Sequence, residues 1–154
     1  HIHIPTYPLV NKMLLDKPIS NIENLIPQKA PFVMVDTLLG FSCENIISSF
    51  KIIETNIFYK NQTLSEVGLI ENMAQTVALH TGYDYFLKGE PTPMGYIGSI
   101  KEIQILMLPQ LDEVIITEVR ILQEFMGVTL VEITISNTKK KKIASCTMKT
   151  VMAT

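Results

Sequence analysis

The run Leu64-Ser-Glu-Val-Gly-Leu-Ile-Glu-Asn-Met-Ala-Gln-Thr-Val-Ala-Leu-His-Thr-Gly82 limits what this chain can fold into more than any other stretch. It reads as one helix, apolar around most of its circumference. Val67, Leu69, Ile70, Met73, Ala74, Val77, Ala78 and Leu79 leave no wide polar face. A helix that is hydrophobic all round belongs in an interior. Ser65 fits an N-cap, its hydroxyl accepting from the first free amides. Gly82 stands where a glycine closes a helix in a left-handed turn.

One acid, Glu71, interrupts the apolar run. A carboxylate there is costly to bury unless it is paired, hydrogen-bonded or protonated. That makes Glu71 the first functional candidate. Gln75 follows four residues later and shares its helix face. Two readings stand: an acid working beside a carboxamide, or a buried polar network that fixes the helix or a subunit interface. Asn72, Thr76 and His80 form a second polar stripe, expected to face loops or a partner chain.

The rest of the chain must supply cover for this helix. Its 154 residues are enough for one domain with a sizeable core, and 47% of them are apolar. The net charge of -2 gives nucleic-acid binding little electrostatic support. No apolar run approaches the ~20 residues that span a bilayer. The start His1-Ile-His-Ile-Pro-Thr-Tyr-Pro8 has no secretory pattern. Cys43 and Cys146 form neither a ligand cluster nor a disulfide framework, so a reducing cytoplasm is the expected setting. No metal site is expected.

Residues 1–19 read as a loosely structured lead-in broken by Pro5, Pro8 and Pro18, with one domain over 20–154. Ser20-Asn-Ile-Glu23 is a capping-box pattern that predicts a short helix ended by Pro27. Val33–Phe41 and Ile46–Ile53 alternate as two strands of a hairpin turned by Ser42–Asn45. After Gly82, Tyr83–Lys88 either extends the helix by a turn or forms a separate one, and Gly89-Glu-Pro-Thr-Pro93 is a breaker cluster. Four strands are then expected at Tyr96–Leu106, Val114–Phe125, Val128–Ser136 and Ile143–Met152. Lys139–Lys142 reads as a solvated hairpin turn, the competing reading being a surface for an acidic carrier protein. The inventory predicts an α+β fold: an antiparallel sheet of about six strands wrapped around one long central helix. One sheet covers one side of a helix. An all-round apolar helix therefore points to a homodimer or larger assembly.

Three segments resemble the β-hydroxyacyl-acyl-carrier-protein dehydratases. Glu23-Asn-Leu-Ile-Pro-Gln-Lys-Ala-Pro-Phe-Val-Met-Val-Asp36 is similar to their leading motif. Val67-Gly-Leu-Ile-Glu-Asn-Met-Ala-Gln75 is similar to their central-helix motif, and Gly95-Tyr-Ile-Gly-Ser-Ile-Lys-Glu-Ile-Gln104 to the strand after it. The branch it resembles most serves aryl polyene and flexirubin-type pigment synthesis. There an Asn-x-Phe segment precedes the helix, as Asn56-Ile-Phe58 does here. The resemblance implies a hotdog fold and a dimer with its acyl tunnel at the subunit interface. It implies no cofactor held by the protein; the substrate rides on the phosphopantetheine of an acyl carrier protein or coenzyme A. The implied activity is dehydration of a 3-hydroxyacyl thioester in fatty-acid or polyene synthesis. Two alternatives stay open: a thioesterase on the same fold, and a non-catalytic hotdog subunit that binds acyl chains or completes an active partner.

The family acid carries over to Glu71, with Gln75 beside it at the acyl site. The helix start, including Val67 and Gly68, offers free backbone amides. In this family type such amides polarise the thioester carbonyl, as an oxyanion hole does. The better-known dehydratases have a Gly-His-Phe-Pro motif before the helix that supplies a catalytic histidine. Here the corresponding Phe58-Tyr-Lys-Asn-Gln-Thr-Leu64 has none. Asn61 and Gln62 stand near that position. They can orient water or substrate but accept no proton at neutral pH; ordinary loop polarity is the competing reading. His80 lies on the opposite side of the helix from Glu71, about 13 Å along it, and reads as structural. His1 and His3 sit in the lead-in.

Overall fold

The computed structural model describes residues 13–153. The lead-in up to residue 12, with His1 and His3, lies outside the described residues. Among the described residues nine strands and one long helix follow one another: β1 (Leu14–Ile19), β2 (Thr37–Ser42), β3 (Asn45–Lys51), β4 (Tyr59–Lys60), β5 (Thr63–Leu64), α1 (Glu66–Lys88), β6 (Gly95–Ile105), β7 (Val114–Phe125), β8 (Val128–Asn137) and β9 (Lys142–Met152). Seven strands make one antiparallel sheet in the order β1-β2-β3-β7-β8-β9-β6, and β4-β5 is a separate two-residue hairpin. The four strands expected after the helix appear within a residue of their predicted bounds. Their period-2 patterns set one face of each toward α1.

The core lies between that face and the helix. Ile115 and Val119 of β7, Ile133 and Ile135 of β8 and Met148 of β9 meet Leu69, Met73 and Leu79 of α1. Each such side chain contributes about 1.5–3 kcal/mol by leaving water. The expected interior helix is therefore found, with one exception. Val67 is 53% exposed, although Gly68 and Leu69 beside it are buried.

Three local expectations fail for physical reasons. Leu14–Ile19 is not a loose lead-in; it pairs with β2 as the seventh strand, and Pro18 is tolerated because β1 is an edge. The Ser20–Glu23 pattern starts no helix. Pro27 leaves fewer than two turns, too few to offset nucleation. A turn forms instead, Leu25 N donating to Ile22 O at 2.9 Å, and Ile22, Leu25 and Ile26 enter the core. The strand expected from Val33 begins only at Thr37. Before it, Phe32 and Met34 are bound by side chains of α1, and only Asp36 N reaches β3, at Ser49 O.

Gly82 does not end the helix. α1 continues to Lys88, and Gly89, at φ 68°, closes it. Gly89 N donates to Phe86 O and Glu90 N to Tyr85 O, a Schellman pair that satisfies two terminal carbonyls. Gly82 serves a different purpose: any Cβ there would overlap the backbone carbonyl of Leu25. The approach loop and the helix touch backbone to backbone at that point, which fixes the loop on α1.

Candidate active site

Glu71 stands half-buried on α1, and its surroundings are held by amide side chains. Gln75 Nε2 donates to Glu71 Oε2 at 3.2 Å and to Phe32 O at 2.9 Å. Gln75 Oε1 accepts from Met34 N at 2.6 Å. Asn72 Nδ2 donates to Met34 O at 2.7 Å. The segment from Phe32 to Met34 is thus bound to the helix as a strand would be, with side-chain amides in place of a partner backbone. Gln75 is wholly buried. It holds Glu71 and the loop together in one polar network.

On the outward side of Glu71 the helix presents small residues. Ala74 and Ala78 have nothing beyond Cβ, so a groove opens between this face and the ends of β6, β8 and β9. It has a volume of about 140 Å³. Glu71 and Thr81 both line it, and their separation of ten positions on the helix corresponds to about 15 Å along its axis. Pro27 and Gln28 of the approach loop, Tyr96 and Ile97 of β6, and Thr129 and Thr150 complete the wall. The sequence reading missed Gln28 and the β6 residues. The pair of alanines flanking the acid's face was the available signal.

The other candidates do not join this groove. Asn61 and Gln62, at φ 54° and 68°, form the exposed tip of the β4–β5 hairpin. Their left-handed conformations suit a tight two-residue turn, which is their structural role here. Gly68 is buried because a Cβ would meet Leu64 Cδ1 at 2.6 Å. Val67 faces away from the groove wall. Ser65 is the N-cap residue, but its hydroxyl makes no capping bond. The first helical bond is Leu69 N to Ser65 O. The amides of residues 66–68 precede it, as at any helix start.

The second stripe is corrected: it faces the sheet, not loops or another chain. Thr117 Oγ1 donates to Asn72 Oδ1 at 2.6 Å. Thr76 Oγ1 donates to Asn72 O, so Ser48 is the donor in its 2.8 Å contact with Thr76. His80 Nε2 meets Ser42 O at 2.9 Å, and its ring stacks on Phe41 at 4.9 Å. Burial lowers the pKa of His80, against the opposing pull of the Ser42 carbonyl, Asp84 and Glu124. The neutral imidazole then donates from Nε2. Cys146 is buried against Met73 Sδ, and burial pushes its thiol up to about 11. Cys43 is exposed in the β2–β3 turn. Lys139–Lys141 is a solvated turn, Asn137 Oδ1 accepting from Lys139 N and Lys141 N, and Lys142 opens β9 with its side chain exposed. Among the described residues no helix is long and apolar enough to cross a membrane.

Comparison with known proteins fits this geometry. The profile of the ApeP-like family, described as ApeP dehydratase, matches residues 20–154. No curated protein matches the chain. Among solved structures, the dehydratase heterocomplex ApeI:P from Xenorhabdus doucetiae superposes with a TM-score of 0.80 at 15% identity, covering 86% of this chain and 91% of that one. The smu.793 protein of Streptococcus mutans UA159, bound to acetyl CoA, gives 0.60 at 12% identity over 75% of this chain and 86% of that one. The PaaI protein from the phenylacetic acid degradation operon of E. coli gives 0.62 at 9% identity over 76% and 78%. At such identities the likeness is one of fold, and the fold is the hotdog: one helix against a large antiparallel sheet.

Proposed function

The chain belongs to the ApeP-like dehydratase family, and from that premise we propose that it forms one half of a 3-hydroxyacyl thioester dehydratase site. The observation that carries this reading is Glu71, a carboxylate oriented by a buried amide and facing a groove with small walls. Dehydration removes the C2 proton and expels the C3 hydroxyl as water, leaving an enoyl thioester. One group must take the first proton and another must deliver a proton to the leaving oxygen. Glu71 serves one of these steps. Among the described residues no histidine lines the groove, and in this reading the second group comes from elsewhere.

A partner subunit is its source. The groove of about 140 Å³ is smaller than the roughly 300–1,000 Å³ of pockets that enclose drug-sized ligands, and an acyl-phosphopantetheine is larger still. β6 borders the groove and is an edge of the sheet, with Tyr96 59% and Ile97 42% exposed. Exposed strand edges invite pairing with another chain. A second hotdog subunit on that edge would cover these side chains and extend the groove. The X. doucetiae structure is itself a dehydratase heterocomplex, and that precedent supports a second, different hotdog subunit; that this subunit carries the histidine is part of the proposal. Carriage of the substrate on an acyl carrier protein belongs to the same proposal.

The test is formation of enoyl product from a 3-hydroxyacyl-pantetheine thioester, by the chain alone and mixed with a histidine-bearing dehydratase subunit. We expect turnover in the mixture and little in the chain alone. The Glu71→Gln variant should lower the mixture's rate about 10²-fold or more. A mixture indifferent to Glu71→Gln would take this chain out of the chemistry.

A further inference from the structure

We propose that Gln28 positions the substrate: its side-chain oxygen accepts a hydrogen bond from a hydroxyl or amide N–H of the acyl thioester lying in the groove beside Glu71. The inference rests on the dehydratase reading above. Its starting point is an unmet need. Gln28 lines the groove, yet its Oε1 is shut off from water and no donor reaches it. A buried carbonyl oxygen without a donor is destabilising, and most such atoms in folded proteins have one. Among the described residues only Ser49 Oγ shares this condition, and Ser49 sits on β3, outside the groove.

The loop that carries Gln28 is rigid. Leu25 rests its carbonyl on Gly82, Ile22 and Ile26 are buried in the core, and Pro27 fixes its own φ. Gln28 is therefore delivered to the groove wall by an anchored backbone. The terminal torsion of glutamine turns easily, so its oxygen can swing toward a ligand donor. A glutamine neither gives nor takes a proton at neutral pH. Its role beside a carboxylate is to hold and align. A 3-hydroxyacyl thioester offers two kinds of donor, its C3 hydroxyl and the amide N–H groups of pantetheine. Both satisfy the same acceptor.

Binding to the assembled pair of subunits distinguishes them, with Glu71→Gln present throughout to slow turnover. Four ligands are compared: 3-hydroxyoctanoyl-pantetheine, octanoyl-pantetheine, S-ethyl 3-hydroxyoctanethioate and S-ethyl octanethioate. Dissociation constants are measured with and without Gln28→Leu, and with Gln28→Met should leucine's branch disturb the loop. We expect about tenfold weaker binding, the worth of one neutral hydrogen bond, with an unchanged or raised melting temperature. Loss confined to the two 3-hydroxy ligands assigns the hydroxyl as donor, and loss confined to the two pantetheine ligands assigns the amide. S-ethyl octanethioate has neither donor and should bind equally to both proteins. Equal affinities for all four ligands would overturn the proposal. So would a uniform loss that includes S-ethyl octanethioate, since that marks a structural role. Failure of the Gln28-bearing assembly to bind any of the four would instead overturn the dehydratase reading.

Discussion

Gln75 spends one amide nitrogen on both Glu71 Oε2, at 3.2 Å, and Phe32 O, at 2.9 Å, so the acid and the approach segment share a single support. Its oxygen holds Met34 N as well. Gln75→Leu keeps much of the volume but strands the buried Met34 N–H, while water can reach the part-buried Phe32 carbonyl. A buried unsatisfied group costs about 1–3 kcal/mol, so we expect a loss of about that size in urea unfolding. An unfolding midpoint equal to wild type would show that water replaces both bonds.

Glu71→Gln behaves oppositely. The neutral side chain still accepts from Gln75, and an amide is cheaper to bury than a carboxylate. We expect a melting temperature equal to or above that of wild type, together with the roughly hundredfold rate loss of a missing acid–base group. A variant that loses stability as well as rate would make Glu71 structural.

The two glycines of α1's C-terminal half should separate cleanly. Gly82→Ala drives a methyl into the Leu25 carbonyl, which is backbone on both sides of the contact. Overpacking of this kind costs about 1–3 kcal/mol and sometimes more; here neither partner has a flexible end to yield. Gly89→Ala meets nothing within 4 Å and loses only the ease of φ 68°, about 1 kcal/mol. Thermal melts of the two variants should rank Gly82→Ala the less stable, and a reversed order would refute the backbone contact.

These glycines also show what was legible in the sequence. The apolar run announced an interior helix, and the period-2 strands after it announced the sheet to within a residue, because both signals are local. Glu71 and Gln75 were legible for the same reason: four residues on a helix fix a shared face. The end of the helix was not, since a glycine that closes a turn and a glycine that admits a neighbouring backbone look alike in sequence. Val33–Asp36 has strand alternation, but long-range bonds from Asn72 and Gln75 took both backbone groups of Met34. Asn61 and Gln62 carried the chemistry of a site, and the positive φ that suits both to a hairpin tip was visible only in the fold. Gln28 was hidden because nothing local connects it to Glu71, 43 residues on.

His80 sets the last expectation. Burial lowers its pKa below the ordinary 6.5, despite the Ser42 carbonyl and the charges of Asp84 and Glu124. As pH falls through about 6.5 the unfolded chain takes up a proton that the folded protein still refuses. The contribution of His80 to stability is thus complete above pH 6.5 and is lost as pH falls from there through the folded-state pKa. His80→Gln retains a donor for Ser42 O and does not titrate. Wild type should therefore lose more stability than His80→Gln between pH 7.5 and pH 5, read from urea midpoints; equal losses would remove burial as the cause. Turnover in the mixed-subunit assay should stay within a few-fold of wild type at pH 7.5, because His80 contacts Ser42 and Phe41 on the far side of α1 from the groove. A large fall in rate without a fall in stability would bring His80 into the chemistry after all.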